Sequence, residues 1–144
     1  TVHEAVEIPE GYCPSDDEAF MNPVMLEYFR RILMDWRAEL LKESSETLDL
    51  LQESGLQEPD MADRATLETD HALELRARDR ERKLIAKIDD ALQRITDGSY
   101  GYCADTGEPI SVRRLEARPI ADYSIEAQER HERLERTQRD PDES

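Results

Sequence analysis

Asp60 and Asp63 are the first residues whose spacing suggests chemistry. In the run Pro59-Asp60-Met61-Ala62-Asp63-Arg64-Ala65, two carboxylates three positions apart at a helix start share one face and could hold or perturb a metal ion. The same spacing has a plainer reading, because Asp60 is a natural N-cap and Asp63 stands where an acid favours the helix dipole. The second candidate is basic. Between Arg76 and Lys87, six Lys and Arg residues stand against Asp79 and Glu81, a local excess of +4. Such a run is ordinarily a solvated helix face laced with its own ion pairs, yet an anionic ligand or an acidic partner would be met here first. Cys13 and Cys103 are the two cysteines and define no disulfide framework. His3, His71 and His131 are scattered, and no G-x-S-x-G, H-E-x-x-H or phosphate-loop pattern occurs. Nothing here supports catalysis, and the chain is expected not to be an enzyme.

Helices must carry these residues. Asn22-Pro23 is a cap followed by proline at a first helical position, and from there Leu26, Phe29, Leu33, Trp36 and Leu40 step by 3 and 4. The rhythm continues through Glu43, Thr47 and Leu50, so the seam turns polar before the stop at Ser54-Gly55. A second helix is predicted from about Asp60–Asp63 to Thr96-Asp97-Gly98. Ile85, Ile88, Leu92 and Ile95 give it an apolar base, and the charged run lies before them. Each helix is greasy toward the termini and polar toward the turn. Folded back on one another they make an antiparallel coiled-coil hairpin with arms roughly 50 Å long, whose polar tip is presented to something. The domain reading is an irregular acidic arm at 1–22, a finger at 23–97 with its tip at about 55–65, a small module at 98–125, and a C-terminal helix and tail at 126–144. In the module, Tyr100, Tyr102, Ile110, Leu115, Ile120, Tyr123 and Ile125 are the candidate core around a short knuckle. Successive Glu→Arg pairs at i,i+4, beginning with Glu126–Arg130, are expected to stabilise the last helix.

Composition agrees with a mainly α protein. Of 144 residues 38% are charged, and Ala, Glu, Lys, Leu and Arg make up close to half. The net charge of −16 repels a phosphate backbone, so direct DNA binding is not expected. No apolar run approaches the ~20 residues of a membrane span, and the start of the chain lacks a signal-peptide layout. A cytoplasmic monomer is the expectation.

Four segments together are similar to the DksA/TraR family of bacterial transcription factors. They are Phe29–Leu33, Leu73–Ile85, Gly101-Tyr102-Cys103 and Arg113–Pro119, and the Asp60-x-x-Asp63-x-Ala65 tip fits the family's tip motif. The likeness runs in register from about residue 21 to 135. It implies a factor that inserts its coiled coil into the secondary channel of RNA polymerase. There, with guanosine tetraphosphate, it modulates open-complex stability at ribosomal RNA and amino-acid biosynthesis promoters. It further implies Asp60, Asp63 and Ala65 acting near the polymerase active site, and Arg80 and Lys83 as polymerase contacts. Leu84, Lys87, Arg118 and Gln128 fall at the nucleotide-site positions, with Gln128 in place of the usual Lys.

The chain departs from the family at its zinc finger. Better-known members carry two C-x-x-C pairs; the corresponding positions here are Cys103, Thr106, Ser124 and Ala127. One thiolate with threonine, serine and alanine is no zinc set, so a degenerate zinc-finger-like module without metal is expected. The alternative reading is a coiled-coil adaptor, or a polymerase-binding protein that has lost nucleotide-dependent regulation.

Overall fold

A computed structural model describes residues 6–55 and 61–138. It is mainly helical: α1 (Pro23–Gly55), α2 (Met61–Asp97), α3 (Val112–Ala117) and α4 (Ile125–Gln138). Among the described residues β pairing is limited to one isolated bridge, Tyr102 to Pro109. No described helix is long and apolar enough to cross a membrane. Contacts divide the chain into two units, Thr1–Arg31 with Ala91–Ser144, and Ile32–Asp90. The division cuts across both long helices, so their bases group with the arm and the module.

The start of α1 is set locally. The Asn22 side-chain oxygen accepts from the N–H groups of Val24 at 3.1 Å and Met25 at 3.0 Å. Pro23, which has no N–H to satisfy, opens the helix. At the far end of α2 the Arg94 carbonyl receives the N–H groups of Gly98, Ser99 and Tyr100 at 2.9–3.1 Å. Gly98 supplies the left-handed turn that this requires, at φ 86°.

In the unit Ile32–Asp90, the helices run antiparallel as a coiled-coil hairpin. Leu33 and Leu40 of α1 and Ile88 of α2 are buried along the seam. The Arg37 guanidinium meets Asp89 at 2.6 Å beside it. Burying such side chains contributes roughly 1.5–3 kcal/mol each.

The other unit is built on Met25, Phe29, Ala91, Tyr100, Ile110, Val112 and Leu115, all buried. Phe29 and Tyr100 lie with ring centroids 5.6 Å apart. Glu27 accepts from both Arg30 and Arg31, at 2.7 and 3.0 Å. The knuckle closes through Ile110 N–H to Gly101 O at 2.7 Å and Cys103 N–H to Glu108 O at 2.8 Å. Helix α3, absent from the sequence reading, is capped by the Ser111 hydroxyl, which accepts from Arg114 N–H at 3.2 Å. Two expected core residues are exposed: Tyr102 at 37% and Ile125 at 52%. Tyr102 sits at the bridge in T-shaped contact with Phe20, and Ile125 opens α4 on its solvent side. Val112, Ala121 and Ala127 take their places in the core.

Residues 6–22 are irregular, and they are docked. Tyr12 stacks edge-on against Tyr28, Pro14 is buried, and the Cys13 thiol donates to Glu116 at 3.5 Å. Gly101 lies so close to the arm that an added Cβ would stand 2.9 Å from the Met21 methyl carbon. With φ at 91°, that position needs glycine on both counts.

Candidate functional site

The candidate residues fall in four places. At the hairpin turn, Asp60 lies outside the described residues, and of Asp63 only its place in the first turn of α2 is described. Ala65 is exposed on the same helix.

Further along α2, Arg80 and Lys83 are both exposed. Lys83 reaches Asp79 at 3.1 Å, and Arg82 reaches the same carboxylate at 3.2 Å. The Lys83 and Arg82 contacts hold the Asp79 carboxyl below its usual range. Arg80 makes no ion pair among the described residues.

The four candidate nucleotide residues are split between the units. Leu84, half-buried, and Lys87, exposed, stand on α2 in the hairpin. Arg118 caps α3, its N–H donating to Arg114 O at 2.7 Å, and Gln128 lies in the first turns of α4. The Gln128 amide donates to Glu132 at 3.3 Å.

The degenerate finger positions do converge. Cys103 is buried. Burial pushes its thiol up, but the Thr106 hydroxyl and the N–H groups of Ser124, Thr106 and Asp105 outweigh this and hold it at about 6. Ser124 caps α4 by accepting from Ala127 N–H at 3.2 Å, and the Ala127 methyl is fully buried. Sulfur, two hydroxyls and a methyl group thus gather where a metal centre would need four donors. Among the described residues no three His, Cys, Asp or Glu side chains group as metal ligands. The donor set does not fit zinc.

The sequence reading missed which residues of α4 face the knuckle. Asp105 stands 3.3 Å from His131 Nε2 and 3.7 Å from Arg130, and the imidazole stacks on Tyr123 with centroids 4.4 Å apart. Arg130 therefore faces the knuckle, and the expected Glu126–Arg130 pair does not close among the described residues. An acid two positions after Cys103 was the only available signal.

Comparison with known proteins gives this arrangement its family. Residues 25–95 match the family described as DnaK suppressor protein DksA, N-terminal domain. Residues 98–133 match the prokaryotic dksA/traR C4-type zinc finger. The chain is 62% identical over 129 residues to the RNA polymerase-binding transcription factor DksA of Caulobacter vibrioides, covering 90% of this chain and 91% of that one. It is 46% identical over 117 residues to the protein of the same name from Escherichia coli K12, covering 81% and 78%. The solved structure of transcription factor DksA2 from Pseudomonas aeruginosa superposes with a TM-score of 0.77 at 40% identity, covering 82% of this chain and 91% of that one. The chain belongs to the DksA family. Its match to a C4-type finger weighs in favour of a metal, and its own donor set weighs against one.

Proposed function

We propose that this protein is a transcription regulator that binds bacterial RNA polymerase, entering the secondary channel with the turn of its α1–α2 hairpin. With guanosine tetraphosphate it modulates open-complex stability at ribosomal RNA and amino-acid biosynthesis promoters. The observation that carries the reading is 62% identity, over nine-tenths of the chain, to a relative named for binding RNA polymerase. The hairpin supports it physically. Its seam is apolar toward the base, and the middle of its second helix carries the basic run Arg76–Lys87, suited to a water-filled channel with acidic walls.

In this reading Asp60, Asp63 and Ala65 act near the polymerase active site, Arg80 and Lys83 contact polymerase, and Leu84, Lys87, Arg118 and Gln128 form this chain's side of the nucleotide site. The protein works as a cytoplasmic monomer, makes no direct DNA contact and catalyses no reaction. Its module is zinc-free, held by the Cys103 cluster and apolar packing.

The test is run-off transcription from a ribosomal promoter, with and without guanosine tetraphosphate. Lower output on adding the protein, deepened by the nucleotide, is expected; unchanged output overturns the reading. A second reading keeps polymerase binding and drops nucleotide dependence. The engagement of Gln128 with Glu132, at a position where the family usually has a phosphate-binding lysine, favours it. Gln128→Lys separates the two. A steeper nucleotide response in the variant supports the site; wild-type output that ignores the nucleotide supports the second reading.

A further inference from the structure

The seam of the hairpin changes character partway along. On α2, Ile88, Ile85, Glu81, Arg78, Glu74 and His71 step by three and four. Ile88 is buried and the other five are half-buried, while most residues between them are exposed. This column is the one α2 turns toward α1, and its outer four members are all ionisable. On α1 the buried Leu33 and Leu40 are followed by the half-buried Ser44. Beyond Leu40 on α1 and before Ile88 on α2, no described side chain of the hairpin is buried.

The ionisable seam residues are left unmet. His71 Nε2, Arg78 Nε and Glu81 Oε2 are each shut off from solvent without a hydrogen-bond partner. Arg78 and Glu81 stand three positions apart, yet no ion pair joins them among the described residues. A seam gains stability by burying apolar groups and loses it by desolvating polar groups that find no partner. Packing is also loose at this level. A groove of about 370 Å³ opens there, lined by Leu41 and Ser44 of α1 and by Leu75, Arg78 and Ile85 of α2. The loss of the apolar column, the unmet polar atoms and the unfilled space all begin just beyond Leu40 and Ile85.

We infer that the hairpin opens in two parts. The shaft beyond Leu40 and Ile85 separates under native conditions while the base stays zipped, and the polar seam sets the hinge between them. Opening returns His71, Arg78 and Glu81 to water and gives up little apolar burial. Separating the base would expose Leu33, Leu40 and Ile88, so the base holds. Once parted, each outer helix lacks tertiary support, and a polar helix without support frays in water. This two-part opening holds whether or not the chain binds polymerase.

Hydrogen–deuterium exchange of the full chain, read by mass spectrometry at neutral pH without denaturant, tests both parts at once. Amides of α2 between Arg64 and Arg82 should exchange about tenfold or more faster than those around Ile85 and Ile88. Fraying from the turn would give the same gradient, so seam variants decide. Arg78→Leu/Glu81→Leu makes the seam apolar from α2, and Ser44→Leu does so from α1. Each should slow exchange between Arg64 and Arg82 by about tenfold or more and leave the base at its wild-type rate. Glu43→Leu, the same kind of change at an exposed position of α1, should leave both parts as they are. The two seam variants come from opposite helices, so misfolding of one leaves the other to decide. Equal protection along the wild-type shaft overturns the inference. So does a fast outer part that no seam variant slows, or that Glu43→Leu slows as much.

Discussion

The Tyr100 hydroxyl donates to the carbonyl oxygen of Pro119 at 2.7 Å, from a ring that is fully buried. The bond joins the chain just after α2 to the loop after α3, nineteen residues on. Burial raises the phenol's pKa far above its ordinary range, so the group stays a donor at any pH the protein meets.

Tyr100→Phe keeps the ring against Phe29 and removes only the donor, leaving the Pro119 carbonyl without its partner. The expected cost is about 1–2 kcal/mol in denaturant unfolding. Tyr100→Ala, which also empties the core position, should cost about 3–5 kcal/mol. Equal stability of wild type and Tyr100→Phe would show that water replaces the hydroxyl freely.

If the module is held by hydrogen bonds and packing alone, as proposed, it does not respond to metal removal. Chelator should leave the melting curve where it is, and elemental analysis should find less than stoichiometric zinc. Folding of a true zinc module depends on its metal, so a chelator-induced collapse would refute the zinc-free reading.

Glu27 gives the acid dependence. Hydrogen bonds from Arg30 hold its carboxyl near 2 against an ordinary value of 4.5, with Arg31 adding to the effect and partial burial opposing it. A depressed folded-state pKa stabilises above the unfolded value and is lost as pH falls through the folded one. The stability gap between wild type and Glu27→Gln should therefore be full above pH about 4.5 and shrink progressively toward pH about 2. With both arginines partly exposed, the gap is about 1 kcal/mol at neutral pH. A gap that widens as acid is added contradicts this assignment.

The tip variants separate regulation from docking. Asn caps a helix nearly as well as Asp, so Asp60→Asn and Asp63→Asn should stay within about 1 kcal/mol of wild-type stability. If the carboxylates act near the polymerase's catalytic metal, both variants bind polymerase normally in competition assays and lose transcriptional control. Ala65→Thr, which adds bulk at the close approach, should behave alike. Full activity in the Asn variants would reduce both acids to helix caps.

The sequence alone determined the helices of the hairpin, because the signals for them are short-range. Asn22-Pro23 caps α1, Gly98 ends α2, and Phe29, Leu33, Leu40 and Ile88 keep the 3–4 step that buries one face. It also determined the departure at Cys103, Thr106, Ser124 and Ala127, since donor chemistry is a property of residue type. Only the tertiary structure decided the contacts that depend on distant segments returning to one place. Asp105 against His131, Phe20 against Tyr102 and Cys13 against Glu116 join positions whose local patterns say nothing of one another. Arg130 had a good partner four residues before it and faces Asp105 instead, and Tyr102 stayed at the surface although its type suits a core. Periodicity tells which face of an element is apolar; which distant residue meets it depends on where the chain returns, and that is settled only by packing the whole unit.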